Sequence, residues 1–133
     1  MGGIHGIGTD IVSIARVEQA LVRFGRRFAE RILGAAELAE FDASPQPAAL
    51  LARRFAAKEA VAKAFGTGFR DGLRLQDISV GHDSRGRPEL HYTGAALELV
   101  RARAVTVSHI SLADEREYAV AYVILVADGE LFA

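Results

Sequence analysis

A chain of 133 residues, half of them hydrophobic and 25% charged, has room for one domain over 1–133 with a real core, and is neither disordered nor collagen-like. It has no cysteine, which excludes disulfides, thiolate nucleophiles and cysteine-based zinc sites and fits a reducing, cytoplasmic setting. A net charge of −1 with only 8% aromatic residues argues against a nucleic-acid surface, and no segment reads as a signal peptide or a membrane span.

Residues 4–12 read as a short strand carrying Gly6 and Gly8. A helix over 13–24 follows, in which Ile14, Val17, Leu21, Phe24 and Phe28 recur at helical spacing as an apolar stripe that Gly25 breaks or kinks. The same stretch gathers Arg16, Arg23, Arg26, Arg27 and Arg31 against only Glu18 and Glu30, either a dock for an acidic partner or a solvated helix face. Short helical pieces are expected over 28–33 and 35–41. The run Ser44-Pro45-Gln46-Pro47 then ends helix continuity, and Pro47 suits the first turn of a long helix reaching Phe65, with Gly66 as its stop. Alternation at Ile78, Val80 and His82 predicts a strand, Asp83-Ser84-Arg85-Gly86 a turn, and residues 89–92 the returning strand. Leu97, Val100 and Ala104 mark another helix over 94–104. Residues 105–112 and 118–126 form a last strand pair joined by the charged turn Asp114-Glu115-Arg116-Glu117, the second strand apolar enough for burial on both faces. This order of helices and antiparallel strands predicts an α+β fold, with an antiparallel sheet packed against the long central helix and shorter helices.

Within the long helix, Ala52, Ala56, Glu59 and Lys63 share a face: a lane of small residues leading to a carboxylate and an ammonium. Glu59 and Lys63 are either an exposed i,i+4 ion pair or part of a site. Asp10, at the end of the first strand, is either the N-cap of the next helix or an oxygen ligand for a hard cation, paired with Glu59 if that strand packs beside the central helix. Gly66-Thr67-Gly68 could cradle a phosphate. The glycines at 6 and 8 are not a dinucleotide fingerprint, because position 11 is Ile11. Ser108 and His109 are strand neighbours whose side chains diverge, so they form no nucleophilic pair. His109 is then a hydrogen-bonded core histidine or a ligand contact.

Three segments carry a resemblance: GIGTDI at 6–11, RFAAKEAVAKAFGTG at 54–68, which fits an F-x-x-K-E-x-x-x-K pattern, and HISLADE at 109–115. In this order and separation they resemble the signature blocks of the holo-acyl-carrier-protein synthases, small 4′-phosphopantetheinyl transferases, and the similarity runs from about 4 to 126. The resemblance implies transfer of 4′-phosphopantetheine from coenzyme A to a serine of apo acyl carrier protein, releasing adenosine 3′,5′-bisphosphate, in support of fatty acid biosynthesis. It implies magnesium and a homotrimer with active sites between protomers. By position it makes Asp10 and Glu59 the metal ligands; the serine must also lose a proton, for which Glu59, through a metal-bound water, and a transiently neutral Lys63 are rival bases. It places Lys63, Lys58 and Gly66 near the phosphates, His109 at the coenzyme A site, and Arg85, Gly86 and Pro88 near the adenine. Arg16, Arg23, Arg26 and Arg27 become the carrier-protein dock. The tail 128–133 receives no role. A non-catalytic binding domain would be expected to have lost one of the two carboxylates, and both are present.

Overall fold

The chain runs β1 (Gly2–Ser13), α1 (Ile14–Phe24), α2 (Arg26–Ile32), α3 (Ala35–Ala43), α4 (Pro47–Phe65), a 3₁₀ turn (Leu75–Asp77), β2 (Ile78–His82), β3 (Pro88–Tyr92), α5 (Gly94–Ala102), β4 (Val105–Asp114) and β5 (Tyr118–Asp128). The structure, a computed structural model, describes residues 2–70 and 72–128, so most of the tail lies outside the described residues. The strands form two separate antiparallel sheets, one of order β1-β5-β4 and the other the β2–β3 hairpin. The α+β expectation holds, and α4 lies against the inner face of the larger sheet.

Local chemistry places the boundaries. Ser13 caps α1 by accepting the Arg16 N–H at 3.3 Å, so the cap proposed for Asp10 belongs to Ser13, and Asp10 stays inside β1 opposite Ala121. Gly25 takes φ 66°, a left-handed value that separates α1 from α2. Pro47 opens α4, and Gly66 closes it in the αL conformation.

The seam between β1 and α4 positions the site. Gly6 and Gly8 face the helix so closely that a Cβ on either would overlap the carbonyl of Ala64 or Ala60. Ala56, Ala60 and Ala64 are buried on that side of α4. Small residues do admit a close backbone approach, but at Ala60 and Ala64 rather than along the Ala52–Ala56 lane.

Two apolar clusters meet on α4. One joins Val61 and Phe65 to Val123 and Leu125 of β5 and to Ile78 and Val80 of β2; the other joins Leu50 and Leu51 to Val17, Ile32, Leu33 and Phe41. The stripe expected of α1 is only partly buried: Val17 is in the core, whereas Phe24 is exposed, with the Arg23 guanidinium 5.1 Å from its ring centroid. Burial of β5 on both faces is also not seen within one chain. Ala119, Ala121, Val123 and Leu125 are buried, but Tyr118, Val120 and Tyr122 face outward beside the exposed Ile7, Ile11 and Val107.

Candidate active site

Because β1 lies on α4, Asp10 reaches the helix face that carries Glu59 and Lys63. Lys63 Nζ donates to Asp10 Oδ1 at 3.0 Å and to the Thr9 carbonyl at 3.0 Å. Lys63 therefore pairs across the seam with Asp10, and the i,i+4 pairing with Glu59 is not formed. Glu59 holds its proton more tightly than an ordinary glutamate, first because it is partly buried and then because the Asp10 carboxylate faces it; the Lys63 ammonium opposes both. Asp10, Glu59, Ser13, Arg16 and Phe55 line a cleft of about 330 Å³.

Two carboxylates in mutual repulsion, with oxygen as the only donor, suit a hard divalent cation such as magnesium. The described residues contain no cluster of three or more His, Cys, Asp or Glu side chains able to hold a metal. A cation here would thus take its remaining ligands from water or substrate phosphates, as magnesium commonly does.

Other expected residues lie elsewhere. A cleft of about 480 Å³ opens between the β2–β3 hairpin and β4, lined among others by Arg87, Pro88, Tyr92, Ser108 and His109. A second of about 330 Å³ adjoins it, lined by Arg53, Arg54, His82, Gly86, Pro88 and Ser111. Ser108 Oγ and Tyr92 Oη lie 2.6 Å apart across the seam, while His109 is exposed, so the expected divergence of the two neighbours is real and the core-histidine alternative falls. The 83–88 turn is built by Asp83, whose Oδ1 accepts the N–H groups of Arg85 (2.8 Å) and Arg87 (2.9 Å), holding its carboxyl below the usual aspartate range. Arg85 lines neither cleft; Arg87, two residues on, does. Sequence reasoning gave no role to Tyr92, which stands in no recognisable pattern, to Arg87, although it lies in the 83–88 turn, or to Arg54, although it opens the 54–68 block.

Three of the expected contact residues are engaged within the chain itself. Lys58 does not face phosphates: it is fully buried and donates to Glu37 Oε1 (2.7 Å), the Leu75 carbonyl (3.0 Å) and the Ile78 carbonyl (2.6 Å), which uses all three of its donors. Burial pulls its ammonium below the usual lysine range, against the support of Glu37. The Gly66 N–H is committed to the Ala62 and Lys63 carbonyls, so it offers no donor for a phosphate cradle. Arg26 is held by Asp42 (3.0 and 2.7 Å) and Glu30 (3.2 Å), whereas Arg16, Arg23 and Arg27 are exposed, with no side-chain ion pair among the described residues.

Residues 6–123 match the family model described as the 4′-phosphopantetheinyl transferase superfamily. The chain belongs to this superfamily. Within the superfamily its relatives are holo-[acyl-carrier-protein] synthases. That of Halorhodospira halophila is 58% identical over 123 residues, 92% of this chain and 98% of the relative. Among solved structures, the holo-[acyl-carrier-protein] synthase of Neisseria meningitidis superposes with a TM-score of 0.88 at 42% identity, covering 92% of this chain and 98% of that one. The Bacillus anthracis synthase in complex with coenzyme A (3′,5′-ADP) gives 0.78 at 35%, covering 94% and 98%. The transferase fold and the resemblance read from three short blocks are therefore both shown over nearly the whole chain.

Proposed function

We propose that this chain transfers 4′-phosphopantetheine from coenzyme A to a serine hydroxyl of an apo acyl carrier protein, giving the holo carrier protein used in fatty acid synthesis and adenosine 3′,5′-bisphosphate. The observation that carries the mechanism is the Asp10–Glu59 carboxylate pair beside Lys63 at the β1–α4 seam. Magnesium held by the two carboxylates would neutralise charge on the pyrophosphate of coenzyme A. Lys63, fixed by Asp10 and Thr9, places its ammonium where the leaving phosphate gathers charge. Glu59 is the group that accepts the proton of the serine Oγ. The new bond joins that Oγ to the phosphorus of the pantetheine arm, and the bond that breaks is the one from this phosphorus to the bridging oxygen of adenosine 3′,5′-bisphosphate. Lys63 already donates to two oxygens, which favours Glu59 over Lys63 as the base.

The coenzyme lies in the β3–β4 clefts, with His109, Arg87, Gly86 and Pro88 around it. In a single chain this region and the carboxylate corner are apart: Asp10 is on the inner face of β1, and His109 is on the outer face of β4, with β5 between them. A second copy resolves the separation. The outer sheet face carries Ile7 at 55% exposure, Ile11 at 62%, Val107 at 44% and Tyr122 at 43%, an apolar patch suited to self-association. A homotrimer with sites between protomers fits both features. The two apolar clusters sharing α4 support reading the chain as one domain.

Arg16, Arg23 and Arg27 form the dock for an acidic carrier protein. Arg16 also lines the carboxylate cleft and so leads the incoming serine toward Glu59. We place the reaction in the cytoplasm, in keeping with the cysteine-free composition; no helix among the described residues is long and apolar enough to cross a membrane.

The test is to incubate the protein with coenzyme A, magnesium and an apo carrier protein and to weigh the carrier protein, expecting the gain of one phosphopantetheine. Asp10→Ala, Glu59→Ala and chelation of the metal should each abolish the gain while the far-ultraviolet circular dichroism stays unchanged. Near wild-type turnover of both variants at limiting magnesium would overturn the metal assignment.

A further inference from the structure

Among the described residues, the β2–β3 hairpin shares no backbone ladder with the larger sheet. Its placement therefore rests on side chains. Glu37, buried in the first turn of α3, is the hub. Its Oε1 accepts from the Gly34 N–H (3.1 Å) and from Lys58 Nζ (2.7 Å), and its Oε2 accepts from the Val80 N–H of β2 (3.2 Å). Lys58 in turn holds the Leu75 and Ile78 carbonyls, one in the 3₁₀ turn and the other at the first residue of β2. Two buried charges thus grip three backbone groups at the root of the hairpin. At its tip, the 83–88 turn supplies Gly86, Arg87 and Pro88 to the coenzyme clefts. The other end of the grip is α4, where Lys58 directly precedes Glu59.

An apolar pair of similar volume would fill the same space in a core that already contains Ile78 and Val80. It would not direct two carbonyls and an N–H, so burial alone does not account for these residues. We propose that Glu37 and Lys58 are positioning residues that fix the β2–β3 hairpin, and with it the coenzyme cleft, in register with the helix bearing Glu59 and Lys63. The proposal rests on the reading that the β3–β4 clefts take coenzyme A.

The decisive variant is the double substitution Glu37→Leu/Lys58→Met, which removes both charges together; the buried Arg54, whose Nε lies 3.8 Å from Glu37, keeps its 2.7 Å pair with Glu40. Glu37→Gln is the single-site partner: its one amide oxygen can accept from Lys58 and Gly34 or from Val80, but not on both sides. The double variant should still melt cooperatively near the wild-type temperature. Its KM for coenzyme A, and its Kd for coenzyme A by calorimetry, should rise about tenfold or more, while kcat at saturating coenzyme A and the KM for carrier protein stay within about twofold. Glu37→Gln should show the same split at about threefold, and it decides the matter if the double variant does not fold. Unchanged coenzyme affinity in the folded variants, or equal damage to both substrates, would overturn the positioning role. His109→Ala separates the two failures. If it weakens coenzyme A binding while the Glu37 and Lys58 variants do not, only the positioning role is lost; if it also leaves binding unchanged, the cleft reading fails and the proposal falls with it.

Discussion

Helix α4 carries two lysines, Lys58 and Lys63, that lie about 140° apart around its axis and meet opposite fates. Lys58 is 0% exposed and closes a structural grip on α3 and β2; Lys63 has a side chain 53% exposed and stands beside Asp10 at the proposed reacting centre. Both fit the same sequence pattern, and both looked like phosphate contacts. The face of the helix, rather than the residue type, separates them. The difference teaches that a signature block can hold scaffold and chemistry side by side: Lys58 faces the hairpin and Glu59, the next residue, faces the first strand.

The largest expected contrast comes from substituting each lysine alone. Lys58→Met removes the cation at 2.7 Å from the buried Glu37, leaving it only the Arg54 guanidinium at 3.8 Å, and should cost about 3–5 kcal/mol in chemical denaturation. Lys63→Met should change stability by no more than about 1 kcal/mol, because its pair with Asp10 is solvated, yet transfer should fall about 10²–10³-fold, the scale of losing one transition-state charge contact. Similar stability losses in the two variants would erase the distinction.

Smaller effects sharpen the exposed side. Glu59→Gln should raise the melting temperature at neutral pH, by roughly 3–5 °C at most, the equivalent of about 1 kcal/mol in a chain of this length, although it abolishes transfer. The sign follows from linkage: a carboxyl whose folded pKa is raised stabilises at low pH, and that contribution is lost as pH rises through the folded value. In the metal-free protein Glu59 should accordingly take up its proton at a higher pH than an ordinary glutamate, and an NMR titration checks this. Asp83 has the opposite sign. Its lowered pKa supports the turn above the ordinary aspartate range, and the support is lost as pH falls through the depressed folded value. Loosening of the turn, read from the Kd for coenzyme A against pH, should therefore come later in acid than the protonation of Glu59 in the metal-free protein.

The smallest effects are expected among the arginines. Arg16→Glu with Arg23→Glu should raise the KM for carrier protein, leave that for coenzyme A unchanged and weaken the salt dependence of the rate. Arg26→Glu should act mainly on stability through the lost contacts with Asp42 and Glu30. Equal effects of both changes on the carrier-protein KM would return the whole cluster to a solvated helix face.

Local patterns were enough for much of the fold. The helix breaks at Gly25 and Gly66, the start of α4 at Pro47, the 83–86 turn and the last strand pair all follow from backbone preferences and short-range periodicity, which a few neighbouring residues determine. The carboxylates were legible too, as residue types suited to a hard cation, and the three blocks in order were enough to name the family. What the sequence left open is everything that depends on facing. Whether Asp10 caps a helix or meets Glu59 turns on the packing of β1 against α4, which Gly6 and Gly8 permit only because Ala60 and Ala64 lie opposite them. Whether a lysine binds a ligand or the protein's own carbonyls depends on what stands across from it, and for Lys58 that partner is Glu37, 21 residues away in sequence. Such partners are brought together by long-range contacts between elements, and no local preference encodes them. The sequence by itself therefore determined the elements and the chemical inventory of this protein, and tertiary packing alone decided which members of that inventory share a site.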